Sequence, residues 1–155
     1  MMEMPKPGPL HKKLETLVGT WVGDETMHPG PMGPGGKAKG KTVSRMLDGF
    51  FLISDYEQES GGKIMFRGHG VMGVDPQSQK YQWYWADSMG MAPCAATPGT
   101  WDGDVFNFEH DTPHGRMRYR YVMQGADRYR FTIDSSRDGG KTWAPFMEGD
   151  YRRQK

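Results

Sequence analysis

Cysteine is almost missing from this sequence, because Cys94 is the only one among 155 residues. An intramolecular disulfide is therefore impossible, and a chain of this length can bury enough surface to fold without one. The length corresponds to one domain, so we predict a single domain over 1–155, with a flexible, proline-containing stretch at 1–9. The scarcity of cysteine fits a reducing compartment, and we expect a cytoplasmic protein.

Long apolar runs and an excess of charge of either sign are also absent. No stretch reaches 18 consecutive apolar residues, and the opening sequence MMEMPKPGPL lacks the apolar segment of a secretory signal. The 20 basic residues are balanced by 19 acidic ones, for a net charge of +1. This balance gives no electrostatic basis for binding nucleic acid or an anionic membrane surface, so we expect neither as a partner.

Leucine and isoleucine are scarce, whereas the sequence contains 13 methionines and 19 aromatic residues. Balanced charge and plentiful aromatics favour a folded core over disorder. Methionine is flexible and polarizable, so it suits irregular cavities that accept varied apolar shapes, and it also serves as plain core filler. The composition leaves both roles open.

One short helix and a long series of strands are predicted. Leu10, Leu14 and Leu17 share one face of a predicted helix, and Gly19 ends that helix. In the clearest strand, Met117, Tyr119, Tyr121 and Met123 alternate with three arginines and Val122, which is period two. We predict strands at 20–28, 39–47, 50–59, 63–74, 80–88, 94–101, 104–110, 115–123, 128–134 and 143–153.

Turn residues join these strands at hairpin distance, as Asp102-Gly103 does between two aromatic runs. An open meander of ten strands would leave two exposed edges, which closure removes. We therefore predict an all-β fold: a closed antiparallel up-and-down barrel of about ten strands with a short N-terminal helix. A two-sheet sandwich is the alternative.

A short helix followed by Gly19-Thr20-Trp21 resembles the opening of lipocalin and fatty-acid-binding barrels. The resemblance implies that the tryptophan plugs the closed end beneath Arg152 or Arg153. Three motifs together are similar to an uncharacterised bacterial family of lipocalin-like (calycin) barrels, classed as a domain of unknown function. They are Leu14-x-x-Leu17-x-Gly19-x-Trp21-x-Gly23, Gly68-x-Gly70-x-x-Gly73-x-Asp75 and Trp85-x-Asp87-Ser88. This resemblance implies the fold and no reaction.

Haem-binding barrels of the nitrobindin type also open in this way, and they use a histidine near the carboxyl end as iron ligand. The last histidine here is His114, so that ligand is missing from its place. The hairpin loop 110–114 is too short to orient three metal ligands, and the soft-ligand sets around Cys94 and Met32 suit packing or loop roles as well. We predict no cofactor and no metal site, and keep haem or metal binding as an alternative.

The segment from Ser136 to Trp143 matches the Asp-box pattern Ser-x-Asp-x-Gly-x-Thr-Trp, which resembles a hairpin found in sialidases and other propellers. In those proteins it is not catalytic. One copy without repeats does not make a propeller. We predict a rigid hairpin between the last two strands.

The predicted lumen is the remaining place for function. If Trp83 and Trp85 face inward, period two carries Asp87 inward, and Gly68 and Gly70 leave volume for a ligand. His69 joins the lumen as an acid/base group if the register is opposite. The predicted ligand-binding residues are His69, Met72, Trp83, Trp85, Asp87, Tyr119, Tyr121 and Phe131.

We therefore predict that the barrel binds a small apolar or aromatic molecule. The alternative is an enzyme, such as an isomerase or hydrolase, that uses Asp87 or His69 as an acid/base group in the same lumen. Two further interpretations are compatible with the sequence: a barrel interior filled by its own side chains, which binds nothing, and a homodimer.

Overall fold

The computed structural model describes residues 1–31, 33–91 and 95–155. Helix α1 (Pro9–Leu14) continues into a 3-10 turn at Glu15–Leu17. The strands are β1 (Gly19–Met27), β2 (Gly36–Leu47), β3 (Phe51–Ser60), β4 (Lys63–Val74), β5 (Tyr81–Asp87), β6 (Thr97–Asp102), β7 (Val105–Thr112), β8 (Gly115–Met123), β9 (Arg128–Ser136) and β10 (Ala144–Gln154). Neither helical segment has the length and apolar character that a membrane span requires.

The ten strands form one closed antiparallel barrel in which each strand pairs with its neighbours in sequence. Closure is made by β1, which pairs with β2 on one side and with β10 on the other. Thr20 lies opposite Gln154, and Thr26 lies opposite Glu148. The predicted barrel and its helix are confirmed, and the sandwich is excluded.

The helical segment closes one end of the barrel. Leu14 and Leu17 on its apolar face are buried with Trp21 at the start of β1. The indole Nε1 of Trp21 donates to the carbonyl of Leu17 at 3.0 Å, and the hydroxyl of Tyr81 donates to the carbonyl of Leu10 at 2.7 Å. Because these bonds tie the helix to β1 and β5, this end is the closed end, and the opposite end is the mouth.

Arg153 completes the closed end. Its guanidinium lies over the ring of Trp21, 4.3 Å from the centroid, and donates to the carbonyls of Val18 and, at 3.0 Å, of Thr16. Of the two arginines that the resemblance left open, the structure therefore selects Arg153. Arg152 points outward, as the alternation of β10 requires.

The turn between β9 and β10 is the rigid hairpin that the Asp-box pattern predicts. The carboxylate of Asp138 accepts hydrogen bonds from the hydroxyl of Thr142 at 2.6 Å, from its amide at 2.9 Å and from the amide of Lys141 at 3.0 Å. These donors lower the pKa of Asp138 to about 2. Arg118 stacks on the ring of Trp143, 4.1 Å from the centroid, which fixes the hairpin to β8.

Candidate functional site

The closed half of the barrel interior is filled by its own side chains. These inward-pointing residues are 8% exposed or less, and their rings pack edge to face or offset, as Tyr81 and Phe106 do at 4.9 Å. They are Trp21, Leu52, Met72, Tyr81, Trp83, Phe106 and Phe108. This half has the packing of an ordinary core, so a ligand site has to lie nearer the mouth.

Gly68 and Gly70 do not leave the free volume that we expected beside the lumen. A Cβ at Gly68 would overlap the indole of Trp85, and one at Gly70 would lie 2.9 Å from Nε1 of Trp83. These glycines lie opposite Asp87 and Trp85 in the β4–β5 ladder. The expectation was wrong because large rings on the neighbouring strand occupy the space that the missing side chains free.

Towards the mouth and along β8 and β9, a set of inward-pointing residues is partly exposed, although Tyr129 of β9 is only 4% exposed. Phe106 and Phe108, on the adjacent β7, have no exposed surface. Inside a closed barrel, an inward side chain stays accessible where a water-sized space adjoins it. The partly exposed inward residues are Phe66, Trp85, Asp87, His110, Met117, Tyr119, Tyr121, Phe131 and Ile133. We call them the mouth pocket.

Of the eight predicted site residues, seven point into the barrel and His69 points outward. Met72 and Trp83 point inward but belong to the packed half. The members that lie in the mouth pocket are Trp85, Asp87, Tyr119, Tyr121 and Phe131.

His69 points outward, where its Nδ1 lies 2.7 Å from a carboxylate oxygen of the exposed Asp55. Strand alternation explains this, because its neighbours Gly68 and Gly70 face the interior and are buried. His69 therefore does not line the lumen, and it is not available there as an acid/base group.

Polar groups in the mouth pocket are held by specific hydrogen bonds. The carboxylate of Asp87 accepts from Nε1 of Trp85 at 2.8 Å and from the amide of Met89 at 2.9 Å. Nε2 of His110 lies 3.2 Å from the hydroxyl of Tyr119. Burial, with a smaller effect from the charge of Asp87, raises the pKa of Tyr119 to about 12. Burial lowers the pKa of His110, so its imidazole is neutral at pH 7.

A second polar cluster lies deeper, centred on the carboxyl group of Glu25, which is 1% exposed. The hydroxyl of Tyr56 donates to its two oxygens at 2.7 and 2.8 Å, and the amide of Gln58 donates at 3.4 Å. Tyr151 is a further hydrogen-bond partner. Burial raises the pKa of Glu25, while these donors act to lower it. A Cβ at Gly40 would overlap this carboxyl group, so that glycine makes room for the cluster.

Sequence reasoning missed Glu25, Tyr56 and His110 as lumen residues. A signal was present for two of them, because period two puts Glu25 on the same face of β1 as Trp21 and puts His110 on the face of Phe106 and Phe108. A lone acid or histidine at such a position reads as an ordinary polar residue until its neighbours across the barrel are known.

The metal alternative gains no support from the described ranges. Within 1–31, 33–91 and 95–155, no three His, Cys, Asp or Glu side chains lie close enough to hold a metal ion. Cys94 and Met32, which belong to the soft-ligand sets of the sequence, lie outside those ranges. His110, which the sequence analysis placed in a hairpin loop, lies in β7 and contacts Tyr119 inside the barrel.

Two depressions open on the barrel surface, and the first of them also reaches the inward-pointing Glu25 and Ala38. The first, of about 490 Å³, is formed by β1, β2 and the β3–β4 turn, and the other, of about 330 Å³, lies over the outer face of β1 to β3. Outward-pointing charged residues such as Asp24, Lys39 and Glu59 line both. They lack the enclosing apolar walls of a typical small-molecule site.

Solved structures share the fold of this chain at low sequence identity. Rv2717c from M. tuberculosis is 17% identical, with a TM-score of 0.71, over 97% of this chain and all of that one. The S-type phycobiliprotein lyase CPES from Guillardia theta is 12% identical, with a TM-score of 0.68, over 94% of this chain and 93% of that one. At such identities the likeness concerns the barrel and not the activity.

No curated protein matches the sequence. The family model described as "Protein of unknown function (DUF1579)" matches residues 6–153, nearly the whole barrel. The resemblance to a barrel family of unknown function is thereby confirmed, and the chain belongs to the DUF1579 family.

Proposed function

We propose that the mouth pocket binds a small aromatic molecule. One observation carries the proposal: inward-pointing aromatic residues towards the mouth and on β8 and β9 are partly exposed, while those of the closed half are 8% exposed or less. Leaving such surface in contact with water costs about 25 cal/mol per Å², so a guest that covers it is stabilised. The rings concerned are Phe66, Trp85, Tyr119, Tyr121 and Phe131.

The orientation of these rings favours a flat guest over a flexible chain. Tyr119 stands edge-on to Trp83, with 5.2 Å between the ring centroids, and Tyr121 lies 4.8 Å from Phe131. Rings held at fixed angles by a packed floor can stack on another ring with little loss of side-chain entropy. Asp87 and His110, both fixed by hydrogen bonds, can orient polar groups of that guest.

The five tryptophans supply an internal test, because each indole N–H gives its own signal in a ¹H–¹⁵N correlation spectrum. Trp85 borders the mouth pocket and Trp83 lies below it, whereas Trp143 lies on the outer hairpin. Titration with 1-methylnaphthalene should shift the indole signals of Trp85 and Trp83 and leave that of Trp143 in place.

A matched pair of tyrosine variants locates the binding. Tyr119→Ala removes an inward ring, whereas Tyr84→Ala removes a ring that points outward and is 50% exposed. We expect Tyr119→Ala to weaken binding of 1-methylnaphthalene by about tenfold or more, and Tyr84→Ala to leave it unchanged. Equal effects of the two variants, or shifts confined to Trp143, would contradict the proposal.

A further inference from the structure

The charged side chains that point into the barrel near the mouth have one sign. Within the described residues, Glu25 and Asp87 are the inward acids of β1 and β5, and strand alternation turns the lysines and most arginines of the barrel outward. Arg153 is the inward exception, and its guanidinium is held at the opposite, closed end over Trp21. The charged groups that face the interior near the mouth are therefore acidic, although the whole chain carries a net charge of only +1.

Glu25 has hydrogen bonds but no cation to balance its charge. Its partners Tyr56, Gln58 and Tyr151 are all neutral donors, and no lysine, arginine or histidine of the described ranges forms an ion pair with it. A buried carboxylate without a counter-charge is costly, and any cation that enters nearby lowers that cost. The outward arginines of β8 are paired instead with outward acids, as Arg118 is with Asp134 at 3.1 Å.

One side chain separates this carboxyl group from the mouth pocket. The ring of Tyr56, whose hydroxyl binds Glu25, lies 6.1 Å from the ring of Phe66 and 6.2 Å from that of Trp85. The same Trp85 donates its indole N–H to the carboxylate of Asp87 at 2.8 Å. A guest packed against Trp85 would therefore lie close to Asp87 and one side chain away from Glu25, in a partly buried setting where charges interact more strongly than in water.

The aromatic walls add to the same preference. The face of a tryptophan or tyrosine ring carries negative potential and attracts ammonium and alkylammonium groups. Building on the function proposed above, we propose that the guest of the mouth pocket is an aromatic amine in its cationic form. Glu25 and Asp87 select it over neutral and anionic molecules of the same shape.

Three naphthalenes that differ mainly in charge test this selection: 1-naphthylmethylamine, 1-methylnaphthalene and 1-naphthaleneacetate. Their dissociation constants are measured at pH 7 by calorimetry, with the indole signals as a check on location. We expect the amine to bind about tenfold or more tightly than the neutral compound, and the acetate to bind most weakly.

Isosteric variants then identify the groups that select. Glu25→Gln combined with Asp87→Asn keeps the shape of the pocket and should bring the amine and the neutral compound to within about twofold of each other. Asp55→Asn, which removes an outward carboxylate next to His69, is the control and should leave the preference intact. If the double variant does not fold, Asp87→Asn alone should reduce the preference at least about threefold.

The outcomes separate the two proposals. Equal affinities for all three naphthalenes, tightest binding of the acetate, or an amine preference that survives in the folded double variant would overturn the selection of cations. Each of these results would leave binding of an aromatic guest in place. Binding of none of the three compounds would overturn both proposals.

Discussion

At the scale of single residues, Glu25 combines good hydrogen bonding with an unfavourable site for its charge. Two phenols and an amide donate to it, yet burial has the larger effect and raises its pKa. The folded protein consequently holds this proton more tightly than the unfolded chain does. The stability that the carboxyl group contributes is complete below its ordinary pKa of 4.5 and is lost as pH rises through the raised value.

We therefore expect Glu25→Gln, which stays neutral at every pH, to gain on the wild type as pH increases. Its melting temperature should exceed that of the wild type by about 2–4 °C at pH 7, and the difference should shrink towards pH 4. Thermal unfolding followed by circular dichroism between pH 4 and pH 8 measures this. Glu57→Gln, on the outer face of β3, is the control and should show no such trend. A gain in the melting temperature of Glu25→Gln that grows towards low pH would contradict the conclusion that burial raises the pKa of Glu25.

At the scale of elements, the hairpin between β9 and β10 owes its shape to one carboxylate. Asp138 accepts from two consecutive backbone amides and from the hydroxyls of Thr142 and Ser136, so removing it frees the amides of Lys141 and Thr142. We expect Asp138→Ala to accelerate hydrogen exchange at these two amides by about tenfold or more, without changing exchange in β8. Arg137→Ala, in the same turn, is the control.

The pH dependence of this hairpin has the opposite sign to that of Glu25. Because its pKa is lowered to about 2, the ionised form of Asp138 stabilises the turn above the ordinary value of 3.8, and that contribution is lost as pH falls towards 2. Unchanged exchange at both amides in Asp138→Ala would show that the backbone alone sets this turn.

Most of these elements could be predicted from the sequence, because strands and turns depend on local patterns. The alternation of Tyr119 and Tyr121 with arginines gives β8 and its facing directly, and Asp102-Gly103 gives a hairpin. What lies across the barrel depends on strand tilt and on the shear of the ladder, which no local pattern encodes. Two contacts could not be predicted for this reason: Trp85 occupies the space beside Gly68, and the hydroxyl of Tyr56 donates to Glu25.

At the scale of the whole molecule, Arg153 connects segments that are far apart in the sequence. It stacks on Trp21 and donates to the carbonyls of Thr16, Val18 and Ala126. We expect Arg153→Ala to lower the free energy of unfolding by about 2–4 kcal/mol, since it removes charge-assisted hydrogen bonds and a cation–π contact together. Urea unfolding measures the change.

The neighbouring Arg152 is the matched control, because it has the same side chain on the exposed face of β10, 3.8 Å from Asp24. Its replacement by alanine should cost less than about 0.5 kcal/mol. Similar losses in the two variants would mean that the stacked guanidinium is not what secures the closed end.

A cytoplasmic location, the absence of a nucleic-acid partner and the oligomeric state stay predictions of the sequence.

The β1–β10 ladder places Thr20 directly opposite Gln154, so the first strand and the last are neighbours at the closed end. The start of α1 lies at that same end, where the carbonyl of Leu10 accepts from Tyr81. A short linker could therefore join the termini, and the chain could be reopened at Gly61-Gly62, in the turn between β3 and β4, with every ladder preserved. Such a circular permutant would carry new ends beside the mouth, where a reporter could sense an incoming guest.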